Sequence, residues 1–391
     1  MSWLLTRLTG RLPIGWLQLS HNRGRLAAAV AGVAFANLLV FMQLGMLGAL
    51  GGATTAPYTL LDADIMISSV DSNTLGDGGN VARVRMFEAL GVPGVARAMP
   101  LFVGNVEFKL PDGSAATLQA FGLDIGQPGF AGPLVAGAVT ALEAENTALI
   151  DTHARGVPRT AFDGLKAGAR FSFEVSGQTL NAAGTLALGG GFSSDGMLIL
   201  SDQTFLRLFP RRSSGAPDHI LIKIDDGAAV PEIVDRLRTA LSDGDVKVRP
   251  LDEAAAADLA YQMTERPVGV IFGFGVLIGI VVGLVIVYQV LSTDVADHLR
   301  EYATFKAMGY DQRFFLGVVF EEAIVLAVFG FVPGVLVSLG LYALLSDVTL
   351  LPVAMTPVRA VAVFAGTLVA CSLSGAIATR RLAAADPADL F

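Results

Sequence analysis

The stretch PVGVIFGFGVLIGIVVGLVIVYQVLST, residues 267–293, has no charged side chain and exceeds the roughly 20 residues that cross a bilayer as a helix. Four residues later the chain continues as HLREYATFKAMGYDQRF, residues 298–314, in which charged and aromatic side chains are interleaved. An uncharged run followed so closely by charge predicts a membrane helix that ends in water. These two stretches indicate a membrane protein.

Composition divides the chain into a membrane part and a soluble part. Hydrophobic residues make up 53% of the sequence and charged residues 16%, against about 25% charged residues in typical soluble domains. Most of the charge lies between Asp62 and Arg266. A single cysteine, Cys371, leaves no internal disulfide, and the four histidines lack partners at metal-ligand spacing, so we expect no metal site.

Four apolar runs without Asp, Glu, Lys or Arg are long enough to span a membrane. They are residues 26–50, 268–291, 323–345 and 360–379. With their flanking residues they predict transmembrane helices at 26–50, 266–292, 314–345 and 359–379. Pro333 lacks a backbone donor and is expected to kink the third of these helices.

Basic residues predict the orientation, because Lys and Arg in short loops are retained on the cytoplasmic side. They occur in the N-terminal segment 1–25, in the segment 293–313 and in the tail 380–391, whereas the loop 346–358 has none. We therefore expect both termini and residues 293–313 in the cytoplasm and the domain 51–265 outside it. Acidic residues outnumber basic ones in that domain, which argues against a nucleic-acid partner.

The N-terminal segment 1–25 is amphipathic. Trp16, Leu17 and Leu19 stand close to Arg23 and Arg25, a pattern typical of a helix that lies in the headgroup plane. The alternative is a plain anchor ahead of the first span.

The external segment is predicted to be an α+β domain. It includes a hairpin at 102–110 and 115–123, and a strand, helix and strand at 218–224, 229–241 and 245–251 that form one βαβ unit.

The Gly-rich residues 189–196 predict a mobile loop. Residues 252–265 favour helix and run straight into the second span, so one continuous helix is expected. The predicted fold is thus four transmembrane helices with a large extracytoplasmic α+β domain between the first two.

Motifs for catalysis and nucleotide binding do not occur in the sequence. Ser193, Ser194 and Asp195 lie in a serine-rich loop, but no GxSxG motif surrounds them. No GxxxxGK[ST] motif is present, so the chain has no P-loop and any nucleotide energy must come from another chain. We expect a non-catalytic subunit.

Glycines of the second span suggest close helix packing within the membrane. Gly269 and Gly273, and again Gly279 and Gly283, stand four residues apart, and this spacing lets two helices approach closely. Their neighbour is either another span of the same chain or the second copy in a dimer.

Glu321 and Glu322 are the only acidic residues near the interior of a span. Because carboxylates inside a membrane are costly and often functional, one hypothesis gives them a proton-relay or coupling role. The other places them at the cytoplasmic interface, where they reach water or pair with Lys306 or Arg313.

The predicted order of one span, a large external domain and three further spans resembles that of the FtsX/MacB-type (type VII) ABC transporter permeases. The stretch EYATFKAMGYDQRFFLGVVFEEAIVLAVFGFVPG, residues 301–334, is similar to the family's most recognisable segment, and the C-terminal ATRRLAAADPADLF is similar to its ending. At the N-terminal end, GWLQLSHNRGRLAAAVAGVAFANLLVFMQLGML and LLDADIMIS most resemble the DevC branch, known from heterocyst glycolipid exporters. The resemblance implies a MacB-like periplasmic core and a place in the bacterial inner membrane.

The resemblance also implies a role for the charged segment after the second span. In such permeases a coupling helix there docks into the ATPase subunit, and it corresponds here to residues 296–309. The implied coupling residues are Leu299, Arg300, Glu301, Tyr302, Phe305, Lys306, Met308, Gly309 and Tyr310. Leu299, Tyr302 and Phe305 recur at helical spacing and form a face that fits an apolar groove. Gly309 is placed to end the helix. A solvated helix without a partner is the alternative.

By the same resemblance, the chain would be a homodimeric permease subunit that works by mechanotransmission with two ATPase subunits, which bind the ATP and Mg²⁺. A periplasmic adaptor (membrane fusion protein) and a TolC-type outer-membrane channel would be further partners, and the cargo a lipid, glycolipid or other amphiphile. An FtsX-like regulator of a periplasmic cell-wall hydrolase is the main alternative, although the external domain is larger than such regulators usually carry. A membrane-anchored enzyme or sensor is the third, and it lacks supporting motifs.

Overall fold

The computed structural model describes residues 14–109, 115–157, 162–163, 171–298, 301, 304–305 and 308–384, with side chains for all of these except 14, 312–313 and 379–384. The residues 111–113, predicted to join the first hairpin, lie outside the described part. The chain divides into two compact units. The first unit comprises Met1–Leu47, Val270–Leu344 and Val353–Phe391, and the second comprises Gly48–Gly269 and Leu345–Pro352.

The helices and strands alternate along the second unit, while the first unit is helical. The α-helices are α1 (Ile14–His21), α2 (Arg23–Thr55), α3 (Val84–Leu90), α4 (Asp202–Leu208), α5 (Val230–Ala240), α6 (Leu251–Thr264), α7 (Pro267–Asp297), α8 (Gln312–Thr349) and α9 (Pro357–Ala384). The strands are β1 (Ile65–Ser69), β2 (Val95–Lys109), β3 (Ala115–Leu123), β4 (Thr147–Asp151), β5 (Ser172–Val175), β6 (Gln178–Leu186), β7 (Gly196–Ser201), β8 (His219–Ile224) and β9 (Val246–Pro250).

Helices α2, α7, α8 and α9 are long and apolar enough to cross a membrane. The four predicted spans are therefore confirmed in number and order. Each helix extends beyond its predicted apolar run, because polar residues at the ends of a span still favour helix when their backbone groups can hydrogen-bond within it. Pro333 lies inside α8, where it removes one backbone hydrogen bond without ending the helix.

Close contact between α2 and α8 organises the first unit. A Cβ atom on Gly330 of α8 would lie 2.5 Å from the Cβ of Val33, and one on Gly334 would lie 3.0 Å from the carbonyl oxygen of Ala34. Further along the same pair of helices, the Tyr342 hydroxyl donates to the carbonyl of Phe41. Small residues thus let the two backbones meet, as is usual for helices that pack in lipid.

The second unit is built on one mixed sheet with the strand order β3-β7-β4-β6-β5-β2-β8-β1-β9. Strand β2 also pairs with β3, which closes the first six strands into a ring, while β8, β1 and β9 extend from it. The length of β2 makes this possible, because its first half pairs with β8 and its second half with β3 and β5. The predicted α+β domain is confirmed.

The predicted βαβ unit is present as β8, α5 and β9, with β1 between its two strands. Ile67 of β1 pairs with Ile220 of β8 on one side and with Val248 of β9 on the other, antiparallel in both cases. Ile233 and Leu237 of α5 are buried in the same hydrophobic cluster. Local sequence periodicity predicted the two strands and the helix. The position of β1 between the strands depends instead on pairing between residues more than 150 positions apart.

The helix predicted to run continuously from 252–265 into the second span is interrupted. Helix α6 ends at Thr264 and α7 begins at Pro267. The backbone N–H groups of Glu265 and Arg266 both donate to the carbonyl of Tyr261. Proline has no N–H and disfavours helical backbone in the residue before it, so Pro267 starts a new helix.

The Gly-rich loop at 189–196, predicted to be mobile, is held by Arg155. Nη2 of Arg155 donates to the carbonyls of Gly191 and Ser194, at 2.5 and 2.9 Å, and its Nε donates to Oδ1 of Asp195 at 2.9 Å. The other oxygen of Asp195 accepts from the backbone N–H of Thr117 on β3. Distant polar contacts therefore fix a segment whose composition alone suggests mobility.

Burial of His219 predicts a pH-dependent stability. His219 is 2% exposed, its Nε2–H donates to the carbonyl of Leu75, and its Nδ1 accepts from the Ser68 hydroxyl, both at 2.9 Å. Burial lowers the pKa of His219, so below about pH 6.5 the unfolded chain binds a proton that the folded chain excludes. We expect the thermal unfolding midpoint of the full-length chain to be highest above that pH and to fall as the pH decreases towards the lowered pKa.

Two variants separate this effect from general acid sensitivity. His219→Gln should flatten the pH profile below about pH 6.5. His153→Gln, at an exposed position, should leave the profile unchanged. An unchanged profile for His219→Gln would show that another group controls the acid response.

Candidate functional site

The candidate site is the α7–α8 segment, residues 298–311, which the resemblance identifies as the coupling region. Helix α7 ends at Asp297, and the next backbone N–H, from His298, donates to the carbonyl of Asp294 at 3.2 Å. Four of the implied coupling residues lie outside the described part of the chain: Leu299, Arg300, Tyr302 and Lys306. The others are Glu301, Phe305, Met308, Gly309 and Tyr310, and the structure places each of them.

Gly309 ends a helical turn in the way the sequence predicts. Its φ is +93°, and the backbone N–H of Tyr310 donates to the carbonyl of Phe305 at 3.1 Å. A hydrogen bond from the second residue after the helix end, with a left-handed glycine before it, is the pattern of a Schellman cap. The backbone N–H of Met308 also donates to the carbonyl of Thr304, at 3.0 Å. The chain therefore reverses towards α8 through a hydrogen-bonded turn.

Phe305 is partly buried and packs against aromatic rings of its own chain. Its ring centroid lies 5.5 Å from that of Tyr310 and 5.9 Å from that of Phe314, and the Tyr310 and Phe314 centroids are 4.6 Å apart. Beneath this group, Phe315 is buried against Val295 of α7. Aromatic rings at the start of α8 thus offer Phe305 a local apolar neighbour.

The exposed residues of the segment include Glu301, Met308 and Tyr310. Met308 is 60% exposed and Tyr310 45% exposed, and Glu301 accepts a hydrogen bond from the Gln18 side chain of α1 at 3.4 Å. Methionine adapts its shape to a partner, and tyrosine combines an apolar ring with a polar hydroxyl. Met308, Gly309 and Tyr310, called the exposed turn below, form a compact exposed surface.

A polar cluster beside the segment joins α2 to the end of α7. Arg25 forms an ion pair with Asp297 and lies 3.8 Å from Oδ1 of the buried Asp294. Nδ1 of His298 lies 3.6 Å from Oδ2 of Asp294. In the sequence, Arg25 is part of the basic, amphipathic N-terminal segment, and that pattern predicts no ion pair for it. The sequence feature that could have indicated this ion pair is the presence of Asp294 and Asp297 directly after an uncharged run, since carboxylates at such a position need a cation nearby.

Glu322 is fully buried and does not reach water directly, while its alternative pairing with Lys306 or Arg313 involves side chains outside the described part of the chain. Its exposure is 0%, and neither carboxylate oxygen has a hydrogen-bond partner among the described residues. Helix α1 covers it: a Cβ atom on Gly15 would lie 2.9 Å from Cγ of Glu322. Glu321 is partly buried and accepts a hydrogen bond from the backbone N–H of Trp16 at 3.3 Å, which satisfies one unpaired donor in the first turn of α1.

Helix α1 packs on the spans through one face. Trp16 stacks on Phe329 of α8 with ring centroids 5.6 Å apart, and Leu19 is buried in a cluster with Leu291 and Leu326. Leu17 remains exposed. The apolar face predicted to enter the headgroup region is thus partly used within the protein. Residues 1–13 of the N-terminal segment lie outside the described part.

The glycines of the second span face different surroundings. Cβ atoms on Gly279 and Gly283 would lie 3.0 and 3.2 Å from Val40 and Ala36 of α2, so these two glycines pack against the same chain. Gly269 lies against the backbone of Gln262, and Gly273 has nothing within 4 Å of its Cβ position. The close approach of α2 and α7 is therefore intramolecular.

Metal ligands do not converge in the part of the chain that the structure describes, where no three His, Cys, Asp or Glu side chains are placed to hold an ion. The site's chemistry is that of contact and charge pairing.

Gly309→Ala is expected to loosen the turn. Among the described residues no atom would contact the new Cβ, so the cost is that of the positive φ, about 1–2 kcal/mol for a residue other than glycine. Hydrogen–deuterium exchange at the amides of Met308 and Tyr310 should become about tenfold faster. Gly340→Ala is the matched control, since it also has open space but lies inside α8. It should not change exchange at the turn. Equal exchange in both variants would contradict the capping role.

Solved structures share limited similarity with the chain. The periplasmic region of MacB from Actinobacillus actinomycetemcomitans aligns at a TM-score of 0.32 and 10% identity, over 50% of this chain and 92% of that chain. The extracellular domain of the noncanonical ABC-type transporter YknZ from Gram-positive bacteria aligns at 0.32 and 9%, over 48% and 98%. A domain of a putative permease protein from Porphyromonas gingivalis aligns at 0.30 and 14%, over 49% and 91%.

No curated protein sequence matches the chain. Residues 273–387 match the family model of the FtsX-like permease C-terminal domain. This range includes most of α7, the whole α7–α8 segment, α8 and α9. The part of the chain that is similar to FtsX-like permeases therefore contains most of three spans and the candidate site.

Proposed function

We propose that this chain is the membrane subunit of an ABC exporter, driven by a separate ATPase that docks on the exposed turn. The observation that carries the proposal is the presentation of Met308 and Tyr310 at the end of a capped helical turn, inside a domain that matches FtsX-like permeases. Interfaces depend on a few central residues, with aromatic side chains among the strongest contributors. The exposed turn supplies that kind of contact.

Contacts with three helices surround the α7–α8 segment and the end of α7, which favours transmission of force. Phe305 and Tyr310 pack on Phe314 of α8, His298 approaches Asp294 of α7, and Arg25 of α2 pairs with Asp297. A push on the turn would thus reach the ends of α2, α7 and α8 together. Packed interiors transmit displacement because they are dense and resist compression. This arrangement supports a mechanotransmission mechanism in which nucleotide-driven closure of the ATPase moves the spans and the external domain.

The wider assembly follows from the resemblance. The chain would act as a homodimer in the bacterial inner membrane, with both termini in the cytoplasm and the α+β domain in the periplasm. ATP and Mg²⁺ would bind to the partner ATPase. A periplasmic adaptor and a TolC-type channel would complete an export system for a lipid, glycolipid or other amphiphile, as in the DevC branch. Positive charge near residues 1–25 and 293–313 supports the orientation.

Met308→Glu is expected to weaken docking. Met308 is mostly exposed, so folding should be unaffected, while a charge at the centre of an apolar contact should reduce copurification of the ATPase about tenfold or more. Val84→Glu is the matched control, because Val84 is an exposed apolar residue of the second unit. Normal copurification and hydrolysis in Met308→Glu, and in a Glu301→Gln/Lys306→Gln double variant, would refute docking at this segment.

Arg25→Gln tests transmission separately from docking. The substitution removes the cation between Asp294 and Asp297 but leaves the exposed turn intact, so the ATPase should copurify at the normal level. Cargo-stimulated hydrolysis and export should fall, because the ends of α2 and α7 are no longer tied. Arg23→Gln, at an exposed neighbouring position, serves as the control. Wild-type export by Arg25→Gln would exclude this ion pair from the force path.

A further inference from the structure

Two buried carboxyl groups meet where α7 and α8 pack together. Glu322 of α8 is 0% exposed and Asp294 of α7 is 2% exposed, and the two side chains lie within hydrogen-bond reach of each other. Among the described residues, no group donates a hydrogen bond to either oxygen of Glu322 or to Oδ2 of Asp294. An ionised carboxylate only accepts hydrogen bonds, so two carboxyl groups bond to each other only when one of them carries a proton. The contact therefore lacks one donor.

Cations are placed to balance Asp294 but not Glu322. Arg25 of α2 lies 3.8 Å from Oδ1 of Asp294, and His298, when protonated, adds a second positive charge with its Nδ1 3.6 Å from Oδ2. The described charges that face Glu322 are the carboxyl groups of Asp294 and, on its own helix, Glu321. A buried carboxylate without a cation is costly. The proton therefore belongs on Glu322, which then donates to Asp294.

Helix α1 closes this pair off from water. A Cβ atom on Gly15 would lie 2.9 Å from Cγ of Glu322 and 2.8 Å from the carbonyl oxygen of Val318, so the backbone of α1 rests directly on this turn of α8. Beside it, Trp16 stacks on Phe329 with ring centroids 5.6 Å apart. Glu322 thus stays buried only while α1 is in place.

We propose that Glu322 and Asp294 form a proton-binding site that holds α1 on the spans. With a proton on Glu322, the pair carries the single charge that Arg25 balances, and α1 packs over it. Loss of the proton would leave two adjacent buried carboxylates, which repel each other. Release of α1 would admit water to Glu322 and relieve that repulsion. Because the docked state holds a proton that the released state gives up, docking of α1 weakens as the pH rises.

Release of α1 would also change the surroundings of the α7–α8 segment. The Gln18 side chain of α1 donates to Glu301 of that segment at 3.4 Å, and Leu19 is buried in a cluster with Leu291 of α7 and Leu326 of α8. The docked α1 therefore connects both spans to the segment. An effect of the proton on the ATPase rests on the proposed function, whereas the proton site itself does not.

The fluorescence of Trp16 measures whether α1 is docked. The chain has two tryptophans, Trp3 and Trp16, so a Trp3→Phe background leaves the signal of Trp16 alone. The full-length chain is placed in phosphatidylcholine nanodiscs, and quenching of Trp16 by acrylamide is measured from about pH 5 to about pH 9. We expect quenching to increase with pH. The ratio of released to docked α1 should rise by up to about tenfold per pH unit, as for a single proton.

Glu322→Gln tests the proton directly. The glutamine amide has nearly the volume of a neutral glutamic acid and donates to Asp294 at every pH, so Trp16 should remain protected over the whole range. Glu321→Gln, on the same turn of α8, is the matched control and should keep the pH dependence of wild type. The absence of a pH response in wild type, or an equal response in Glu322→Gln and wild type, would overturn the proposal.

Lys306 and Arg313 are the competing partners for Glu322, because their side chains lie outside the described part of the chain. If either of them paired with Glu322, then Glu322→Gln would leave a cation without its anion and loosen α1. Stronger quenching at every pH in Glu322→Gln would therefore replace the proton site by an ion pair. Lys306→Gln and Arg313→Gln should each keep the response of wild type.

Copurification of the ATPase separates this proposal from the proposed function. The fluorescence measurement needs no ATPase, and Glu322→Gln leaves the exposed turn intact. Failure of the wild-type chain to copurify with an ATPase, with the pH response of Trp16 present, would contradict the export function and leave the proton site standing. Normal copurification with a pH response that Glu322→Gln does not alter would have the opposite meaning.

Discussion

The membrane unit depends on the close approach of α2 to its neighbours. Gly330 and Gly334 of α8 meet Val33 and Ala34, and Gly279 of α7 meets Val40. Inside a bilayer, apolar side chains gain little by leaving lipid, so helices associate through close packing and hydrogen bonds. Larger residues at these glycines would separate the backbones. The position of α2 between them explains how one helix can hold both α7 and α8.

That packing has a consequence for the charged groups at the end of the unit. With α2 fixed against α7, Arg25 can reach Asp294 and Asp297, and with α1 folded back on α8, Gly15 covers Glu322. Buried carboxylates are costly without a partner. Asp294 has partial compensation from Arg25 and His298, whereas Glu322 has none among the described residues. The buried carboxylates are thus concentrated beside the segment that we propose as the ATPase contact.

In the second unit the long strand β2 has the corresponding role. It pairs with β3, β5 and β8, so one strand belongs both to the closed ring and to the three-stranded extension. A polar cavity lies against this sheet, and its wall includes Asn105 of β2 opposite Gln119 of β3 in register. Polar side chains on paired strands reach the same wall because opposing residues point to the same face.

The sequence by itself determined the four spans, the α+β nature of the external domain, the Gly309 helix end and the resemblance that led to the permease domain. Each depends on local composition, spacing or motif. Only the tertiary structure decided the packing of the Phe305 ring on Phe314, the burial of Glu322, the break at Pro267 within a strongly helical run, the position of β1 and the pairing of Asp258 with Tyr58. Most of these features bring together residues that are far apart in the chain, and at Pro267 two local preferences compete. The energy of each contact depends on which residues the fold brings together. Local sequence patterns do not identify those residues.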